Sequence, residues 1–151
     1  MKYKETKEKI ALQDRKNINI ICLAALDDEQ ISLTDEEIYN KFTGVGGLHG
    51  LNYVDYGNYH DFSEAKKEIE QGQFFTSDAL CRWVMSCIRP EYRHRIADLT
   101  CGKGSFFNHI SNEEDIYGCE IDPDSFSIAR HLFPKANLML GDIRNYNPGV
   151  H

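Results

Sequence analysis

"ADLTCGKGSFF", residues 97–107, brings an acid and two glycines together directly after a short apolar run. The run "RIADLT" (95–100) predicts a strand, and Asp98 lies near its end. Gly102 and Gly104 then allow the backbone to turn tightly and to approach a ligand closely. Because ligands of parallel sheets bind beyond the carboxyl ends of the strands, we expect a ligand site at this loop.

The segments around this loop alternate between helix and strand patterns. The sequence predicts a helix at 78–89 with Ser77 as its N-cap, a strand at 95–100, a helix in "GSFFNHI" (104–110), a strand at 115–121, a helix after Asp122 and Pro123, and a strand at 137–143. Strands that alternate with helices indicate a parallel sheet with right-handed crossovers, so the expected fold class is α/β.

The first 70 residues have a different pattern, which indicates helices alone. We expect three of them, at about 4–28, 35–42 and 63–70. A capping box of Thr34 and Glu37 starts the second, and Ser63 caps the third. The chain is therefore predicted to contain a helical N-terminal region at 1–70, packed on an α/β unit at 71–151.

The composition is typical of a globular chain, with 41% hydrophobic and 27% charged residues. The sequence has no signal-peptide core and no apolar stretch near the ~20 residues that span a bilayer, so we expect a cytoplasmic protein without membrane contact. Five cysteines without a Cys-x-x-Cys pair, and histidines without ligand spacing, indicate reduced thiols and no metal site. A net charge of −7 argues against firm DNA binding by this chain alone.

A second acidic residue restricts the kinds of ligand that the loop is suited to bind. Glu120 lies at the end of the second predicted strand, where its carboxylate is placed to accept hydrogen bonds from the two hydroxyls of a ribose. The third glycine of a dinucleotide-binding loop is replaced by Phe107. Asp98 opposes a pyrophosphate but suits a cationic ligand. These residues favour S-adenosylmethionine over NAD, and both remain open at this point.

Four stretches resemble successive motifs of the N6-adenine-specific DNA methyltransferases, in the order and at the spacing of that family. They are "GQFFTS" (72–77), "ADLTCGKGSFF" (97–107), "YGCEIDPDSFSIA" (117–129) and "LMLGDI" (138–143). The similarity covers about half of the chain and is greatest to restriction-modification subunits and to the large methylases of mobile elements. It implies a partial Rossmann-like methyltransferase fold, three parallel strands with helices, preceded by the helical N-terminal region.

The resemblance also implies that S-adenosylmethionine is the cofactor, and it gives each matching residue a role. Phe74, Phe75 and Thr76 would line the methionine end, Asp98 would face the amino group, and the loop beneath would be Thr100, Cys101, Gly102 and Gly104. Glu120 would hold the ribose, Ile121 would pack on the adenine, Asp142 would accept from the adenine amino group, and Ile143 would lie against the ring. Ser77 and Leu99 stand where the family usually has proline, and neither change removes a polar contact.

Residues near these motifs have simpler interpretations. Phe106 and Phe107 are interpreted as core, and Lys103 as a solvated loop lysine. Cys101 is not expected to be a nucleophile, because methyl transfer to an exocyclic amine needs no covalent intermediate. Further upstream, "EIYNKFTGVGGL" (37–48) is similar to a segment of large methylase–helicase proteins of mobile elements, and a glycine turn that packs helices explains it equally well.

The family's catalytic motif, (Asn/Asp/Ser)-Pro-Pro-aromatic, is not found in the sequence. The nearest string, Asn147-Pro148-Gly149, lacks the second proline and the aromatic residue. We therefore expect no catalytic residue in this chain and place the catalytic motif beyond His151, the last residue of the sequence. The expected protein is the amino-terminal, cofactor-binding portion of a DNA adenine-N6 methyltransferase, inactive alone. It would be either a shortened piece or a truncated gene product.

The expected partner is DNA in the intact protein, with weak or no DNA binding by this chain. Without a fourth strand, the edge of the first strand is expected to be exposed and to favour self-association. Two other functions remain open from the sequence: a non-catalytic interaction module that keeps the methyltransferase fold, and a methyltransferase that acts on RNA or protein. Cofactor titration would distinguish the module from a cofactor-binding enzyme.

Overall fold

The computed structural model describes residues 1–6, 10–44, 53–70, 73–90 and 94–147. Its helices are α1 (Leu12–Asp27), α2 (Asp35–Lys41), α3 (Tyr59–Glu70), α4 (Asp78–Ile88) and α5 (Pro123–Leu132), and its strands are β1 (Ile96–Asp98), β2 (Ile116–Glu120) and β3 (Asn137–Leu140). Short 3-10 helices lie at Tyr53–Asp55, Phe107–His109, Glu113–Asp115 and Ile143–Asn145. None of the helices in the described ranges is long and apolar enough to cross a membrane.

The three strands form one parallel sheet in the order β1-β2-β3, which confirms the α/β class and the partial Rossmann-like architecture. Ile96 pairs with Ile116 in the first ladder, and Glu120 pairs with Leu140 in the second. The α5 helix connects β2 to β3. Asp98 and Glu120 are the last residues of β1 and β2, so parallel pairing brings both acids to the same edge of the sheet.

Two of the expected helix starts are confirmed by their capping hydrogen bonds. Thr34 and Glu37 form a capping box, in which the Glu37 N–H donates to Thr34 Oγ1 at 3.2 Å. Asp122 accepts from the Ser125 N–H at 2.8 Å, directly before the proline that begins α5. Ser77 occupies the N-cap position of α4, as expected, but its side chain makes no capping hydrogen bond.

The expected start of α3 is wrong. The helix begins at Tyr59, so Ser63 lies inside it. Asn58 supplies the hydrogen bond that Ser63 was expected to supply, because its Oδ1 accepts from the Asp61 N–H at 3.0 Å. Asparagine is as favourable as serine at the N-cap of a helix. Asn58 comes before Ser63 in the sequence, so the helix begins after Asn58.

The α1 helix begins at Leu12 rather than near residue 4, and the residues at the start of the chain contact the α/β unit instead. Asn108 Oδ1 accepts from the backbone N–H groups of Lys2 (2.9 Å) and Tyr3 (2.6 Å), and Asn108 Nδ2 donates to Tyr3 O (2.8 Å). The Tyr3 ring stacks on Tyr39, with ring centroids 5.3 Å apart.

The expected helix at 104–110 is also wrong, since only a single 3-10 turn forms there, at Phe107–His109. The N–H groups of His109 and Ile110 each donate to the carbonyl three residues back, both at 3.0 Å. Ile110 then adopts an extended backbone (φ −101°, ψ 133°), which ends the turn. Short runs of such bonds are typical of 3-10 helices used as connectors.

One hydrophobic core joins the N-terminal helices to the sheet. Its buried side chains are Tyr3, Cys22, Ile38, Tyr39 and Phe42 from the first region, and Cys101, Phe107, Ile116, Ile128, Leu132 and Phe133 from the α/β unit. Phe107 is 1% exposed, which confirms its interpretation as core. All five cysteines are free thiols in this structure, and four of them are buried. The domain division at residue 70 stays a prediction.

Candidate cofactor site

A cavity of about 340 Å³ lies beyond the carboxyl ends of β1 and β2. It is lined by Gln73, Phe74, Phe75, Thr76, Asp98, Thr100, Cys101, Gly102, Ser105, Phe106, Glu120 and Ile121. The structure thus brings together three stretches that are far apart in the sequence: the segment before α4, the glycine loop after β1 and the end of β2. Of the sequence-predicted site residues, all except Gly104, Asp142 and Ile143 line this cavity.

The glycine loop depends on backbone conformations that favour glycine. Gly102 has φ +55° and Gly104 has φ +86°, both in the left-handed region. A Cβ at Gly102 would lie 3.0 Å from the Phe75 ring, which itself lines the cavity. A Cβ at Gly104 would lie 2.6 Å from Phe107 and 2.7 Å from Phe133, inside the core. Gly104 therefore packs the loop against the hydrophobic core, while Gly102 forms part of the cavity wall.

The Glu120 carboxylate is held by two backbone donors. Its Oε2 accepts from the Gly102 N–H at 2.7 Å, and its Oε1 accepts from the Asp122 N–H at 2.8 Å. Glu120 is only 7% exposed, so these bonds fix its direction at the cavity wall. Each carboxylate oxygen has a second lone pair, which leaves capacity for donors from a ligand.

A second acid, Asp98, gives the cavity its electrostatic character. Burial raises the pKa of the Asp98 carboxyl, the hydrogen bond from the Thr100 N–H (3.2 Å) lowers it, and the nearby Glu120 charge raises it. Two carboxylates in a partly desolvated cavity favour a cationic ligand and disfavour an anionic one. This pair of acceptors suits a ligand that carries hydroxyl donors and a positive charge.

The cysteine in the loop is not activated. Burial raises the pKa of the Cys101 thiol to about 12, with further increases from the Asp98 and Glu120 charges. The thiolate is the nucleophilic form of cysteine, and it is scarce at neutral pH at such a pKa. The environment of Cys101 therefore agrees with the expectation that it is not a nucleophile.

Two apolar side chains leave large surfaces open at the cavity. Phe74 is 59% exposed and Ile121 is 68% exposed, although both line the cavity. Exposed apolar groups at a cavity mouth are suited to pack on a flat ring. Phe106 also lines the cavity and is half-buried, so its interpretation as core alone is wrong. Its position two residues after Gly104, in the turn that supports the loop, was a signal that could have predicted this.

Asp142 and Ile143 lie just past β3 and do not line the cavity. Asp142 accepts from the Arg144 N–H at 2.9 Å and forms an ion pair with the Arg144 side chain. Ile143 is 43% exposed in the following 3-10 helix. The Gly141 N–H donates to Glu120 O at 2.8 Å, so the segment is next to the site through the backbone. The expected contacts of Asp142 and Ile143 with adenine stay predictions.

Two expectations from the sequence concern residues that the structure does not describe. The catalytic motif is expected beyond His151, and His151 itself lies outside the described residues together with Pro148 and Gly149 of the nearest similar string. The glycine turn at the end of the upstream segment, residues 45–48, also lies outside them. The position of the catalytic motif and the conformation of that turn therefore stay predictions.

Lys103 is the clearest correction to the sequence interpretation, because its ammonium group is bonded to main-chain carbonyls instead of extending into solvent. Its Nζ donates to Tyr39 O at 2.6 Å and to Phe42 O at 2.7 Å, at the carboxyl end of α2. Burial lowers the pKa of Lys103 to about 8, while the charge of Glu5 acts in the opposite direction. Sequence reasoning missed this contact because backbone carbonyls carry no residue-specific signal.

A parallel α/β sheet with a glycine loop and two acids at its carboxyl edge is typical of the Rossmann-like class of folds. A family model described as N-6 DNA Methylase matches residues 59–150. Because the match covers more than half of the 151 residues, the chain belongs to the N-6 DNA methylase family, as the resemblance implied. Neither the curated proteins nor the solved structures gave a significant match. Members of this family generally use S-adenosylmethionine.

Proposed function

We propose that the chain binds S-adenosylmethionine in the cavity beyond β1 and β2, as the cofactor-binding part of a DNA adenine-N6 methyltransferase. The observation that carries the proposal is the convergence of Asp98, Glu120 and the glycine loop on one cavity, within the segment that matches the family. The cavity volume of about 340 Å³ is within the usual range for small-molecule sites.

The two acids would recognise different parts of the cofactor. Glu120, already oriented by two backbone N–H groups, would accept hydrogen bonds from the ribose hydroxyls with its remaining lone pairs. Asp98 would attract the cationic amino group, and because its own pKa is raised by burial, a positive partner would relieve an unfavourable charge. Phe74 and Ile121 would cover the flat and apolar parts of the ligand with their exposed faces.

The bound cofactor would supply a methyl group on a sulfonium centre to an incoming nucleophile. The exocyclic amine of adenine is a weak nucleophile, so the target base has to be flipped out of the duplex and held in line with that methyl group. In the family an Asn-Pro-Pro-aromatic motif performs this task, and these 151 residues contain no such string. We infer that the chain alone binds cofactor but does not methylate DNA.

Calorimetry with S-adenosylhomocysteine, the demethylated product, tests the binding site. We expect Glu120→Gln to weaken binding by roughly ten- to a hundredfold, because it removes charge-assisted hydrogen bonds of about 1.5–3 kcal/mol. The control is Glu114→Gln, the same change at an exposed residue just before β2, and its affinity should equal that of the wild type. Equal affinities for wild type and Glu120→Gln would contradict the ribose role, and no binding by the wild type would favour a non-catalytic module.

Transfer of a radiolabelled methyl group tests the substrate and the missing catalytic motif. Adenine-containing DNA, RNA of the same sequence and a mixed protein substrate are offered to the chain. We expect no turnover on any of them. Turnover on DNA would contradict the inferred need for another motif, and turnover on RNA or protein alone would contradict the proposed substrate. Equilibrium binding to DNA should also be weak, because the net charge is −7.

A further inference from the structure

The glycine loop is tied to the N-terminal helices by the side chain between its two glycines. Lys103 reaches from the loop to the carbonyls of Tyr39 and Phe42, 2.6 and 2.7 Å from its Nζ. These carbonyls belong to the carboxyl end of α2, where helical carbonyls lack partners within the helix and the helix dipole favours a cation. The ammonium also lies over the rings of Tyr39 (4.8 Å) and Phe75 (5.4 Å).

The same segment contacts the other side of the cavity. The Phe42 ring stacks on the Phe75 ring, with centroids 5.8 Å apart and an interplanar angle of 27°. Gly44 is packed so closely on Gln73 that a Cβ there would lie 2.2 Å from Gln73 O. Phe75 and Gln73 both line the cavity. Tyr39–Gly44 therefore supports the glycine loop on one side and the segment before α4 on the other.

This supporting segment is itself fixed to α1. Asn19 Nδ2 donates to Thr43 O at 2.7 Å, and the Thr43 N–H donates to Asn19 Oδ1 at 3.0 Å. Such a paired contact satisfies both backbone groups of Thr43 and leaves the segment little freedom to shift. The position of the support is thus set by helices that lie outside the segment matching the family, which begins at residue 59.

We propose that Tyr39–Gly44 is a support behind the residues that line the cofactor cavity, and that Lys103 is the positioning residue through which this support holds the glycine loop. One consequence of this inference rests on the proposed function: the N-terminal helices set the affinity of the cavity for the cofactor. It also gives a role to the sequence "EIYNKFT" (37–43), which the family match does not include.

The first test compares Lys103→Met with Lys135→Met, an exposed lysine between α5 and β3. Calorimetry with S-adenosylhomocysteine should show a dissociation constant raised about two- to thirtyfold by Lys103→Met, the range typical of residues that act through a second element. Lys135→Met should leave it unchanged. Hydrogen exchange without ligand should show faster exchange of the amides at 102–105 in Lys103→Met only.

A pH series separates positioning by charge from loss of packing. Burial lowers the pKa of Lys103 to about 8, so the wild type loses this charge between pH 7 and pH 9.5. The ratio of dissociation constants, Lys103→Met over wild type, should be largest at pH 7 and fall towards one at pH 9.5. Titration of the ligand's own amino group is common to both proteins and cancels in the ratio. A ratio that does not change with pH would contradict the positioning role.

A second variant, Gly44→Ala, tests this support without touching Lys103. The added methyl would meet Gln73 O at 2.2 Å, so the supporting segment and Gln73, which lines the cavity, must move apart. Gly57→Ala is the matched control, because nothing lies within 4 Å of its added methyl. We expect Gly44→Ala to weaken binding about two- to thirtyfold and Gly57→Ala to leave it unchanged.

The outcomes of these tests are separable. Loop amides and affinities unaffected by both Lys103→Met and Gly44→Ala would overturn the inference while the proposed function stands. A wild type that binds no cofactor would overturn the proposed function and the affinity consequence with it. In that case the exchange rates at 102–105 still decide whether Lys103 holds the loop, since that measurement uses no ligand.

Discussion

Replacement of Asn108 by alanine should be strongly destabilising. This side chain is fully buried and joins the amino-terminal segment to the turn after the glycine loop. It accepts from the Tyr3 N–H at 2.6 Å and donates to Tyr3 O at 2.8 Å, and both bonds are buried. The Lys2 N–H also loses a bond but keeps a second acceptor, Asn108 O, at 3.1 Å.

The magnitude follows from the two groups of Tyr3 that lose their partner. A buried donor or acceptor without a partner costs about 1–3 kcal/mol, so the two together cost about 2–6 kcal/mol. If the segment is released into water instead, it loses the contacts of the Tyr3 ring with Tyr39 and Phe133. That loss is of similar size, because each aromatic pair contributes about 0.5–1.5 kcal/mol in addition to its buried area.

Urea unfolding, followed by far-ultraviolet circular dichroism, measures this cost. The control is Asn145→Ala in the exposed 3-10 helix after β3, which should change the free energy of unfolding by less than about 0.5 kcal/mol. In a chain without residues 1–6, Asn108→Ala should cost much less, because its partners are absent. A cost under about 0.5 kcal/mol in the full chain, or equal costs in both chains, would refute the reasoning.

Three further predictions concern the acid, the thiol and the sheet edge. Asp98→Asn should raise the free energy of unfolding more at pH 7 than at pH 4. The folded-state pKa of Asp98 lies above its unfolded value, so its ionisation costs stability as the pH rises through that interval; equal effects at both pH values would contradict this. Iodoacetamide at pH 8 should label the exposed Cys87 and not Cys101, whose pKa burial raises to about 12, and peptide mass spectrometry locates the label; early label on Cys101 is the contrary result. Sedimentation should reveal self-association that Ala97→Lys weakens, because only β2 pairs with β1 among the described residues and a charge hinders pairing at an edge strand; a wild type that stays monomeric at all concentrations would count against it.

The strands and the capped helices were predictable because their signals are local. The β2 and β3 strands are short apolar runs beside turn residues. The α2 and α5 helices each follow an N-cap side chain that accepts from the backbone N–H three residues further on. Two of the wrong expectations about helices, at the start of the chain and in the region after the glycine loop, fall on segments that share a long-range contact. Asn108 and the backbone at Tyr3 hold each other over 105 residues of sequence, and no local signal indicates this contact.

The residues of the candidate site also divide into those that could be placed from the sequence and those that could not. Glycines and acids at strand ends have a position that topology alone fixes, so Asp98, Gly102 and Glu120 could be placed together from the sequence. The segment "FFT" (74–76) was placed by resemblance, since nothing local brings it to the end of β1. Asp142 and Ile143 follow the motif order, but they lie past β3 and do not line the cavity, and Asp142 pairs with Arg144 instead.

Lys103 shows why the remaining part of the site required the structure. The glycines on either side of it both have positive φ, and in the folded loop its side chain runs to α2 instead of to solvent. A charged side chain between two glycines is usually solvated, and burial of its ammonium is unfavourable unless acceptors compensate. Here the acceptors are main-chain carbonyls 61 and 64 residues away, at the end of a seven-residue helix. Because the compensating groups are backbone atoms, substitutions at Tyr39 or Phe42 that keep the helix end would preserve the contact. The constraint therefore falls on Lys103 itself, on the length of α2 and on Gly44, and these are the features that should decide whether a related chain holds its glycine loop in the same way.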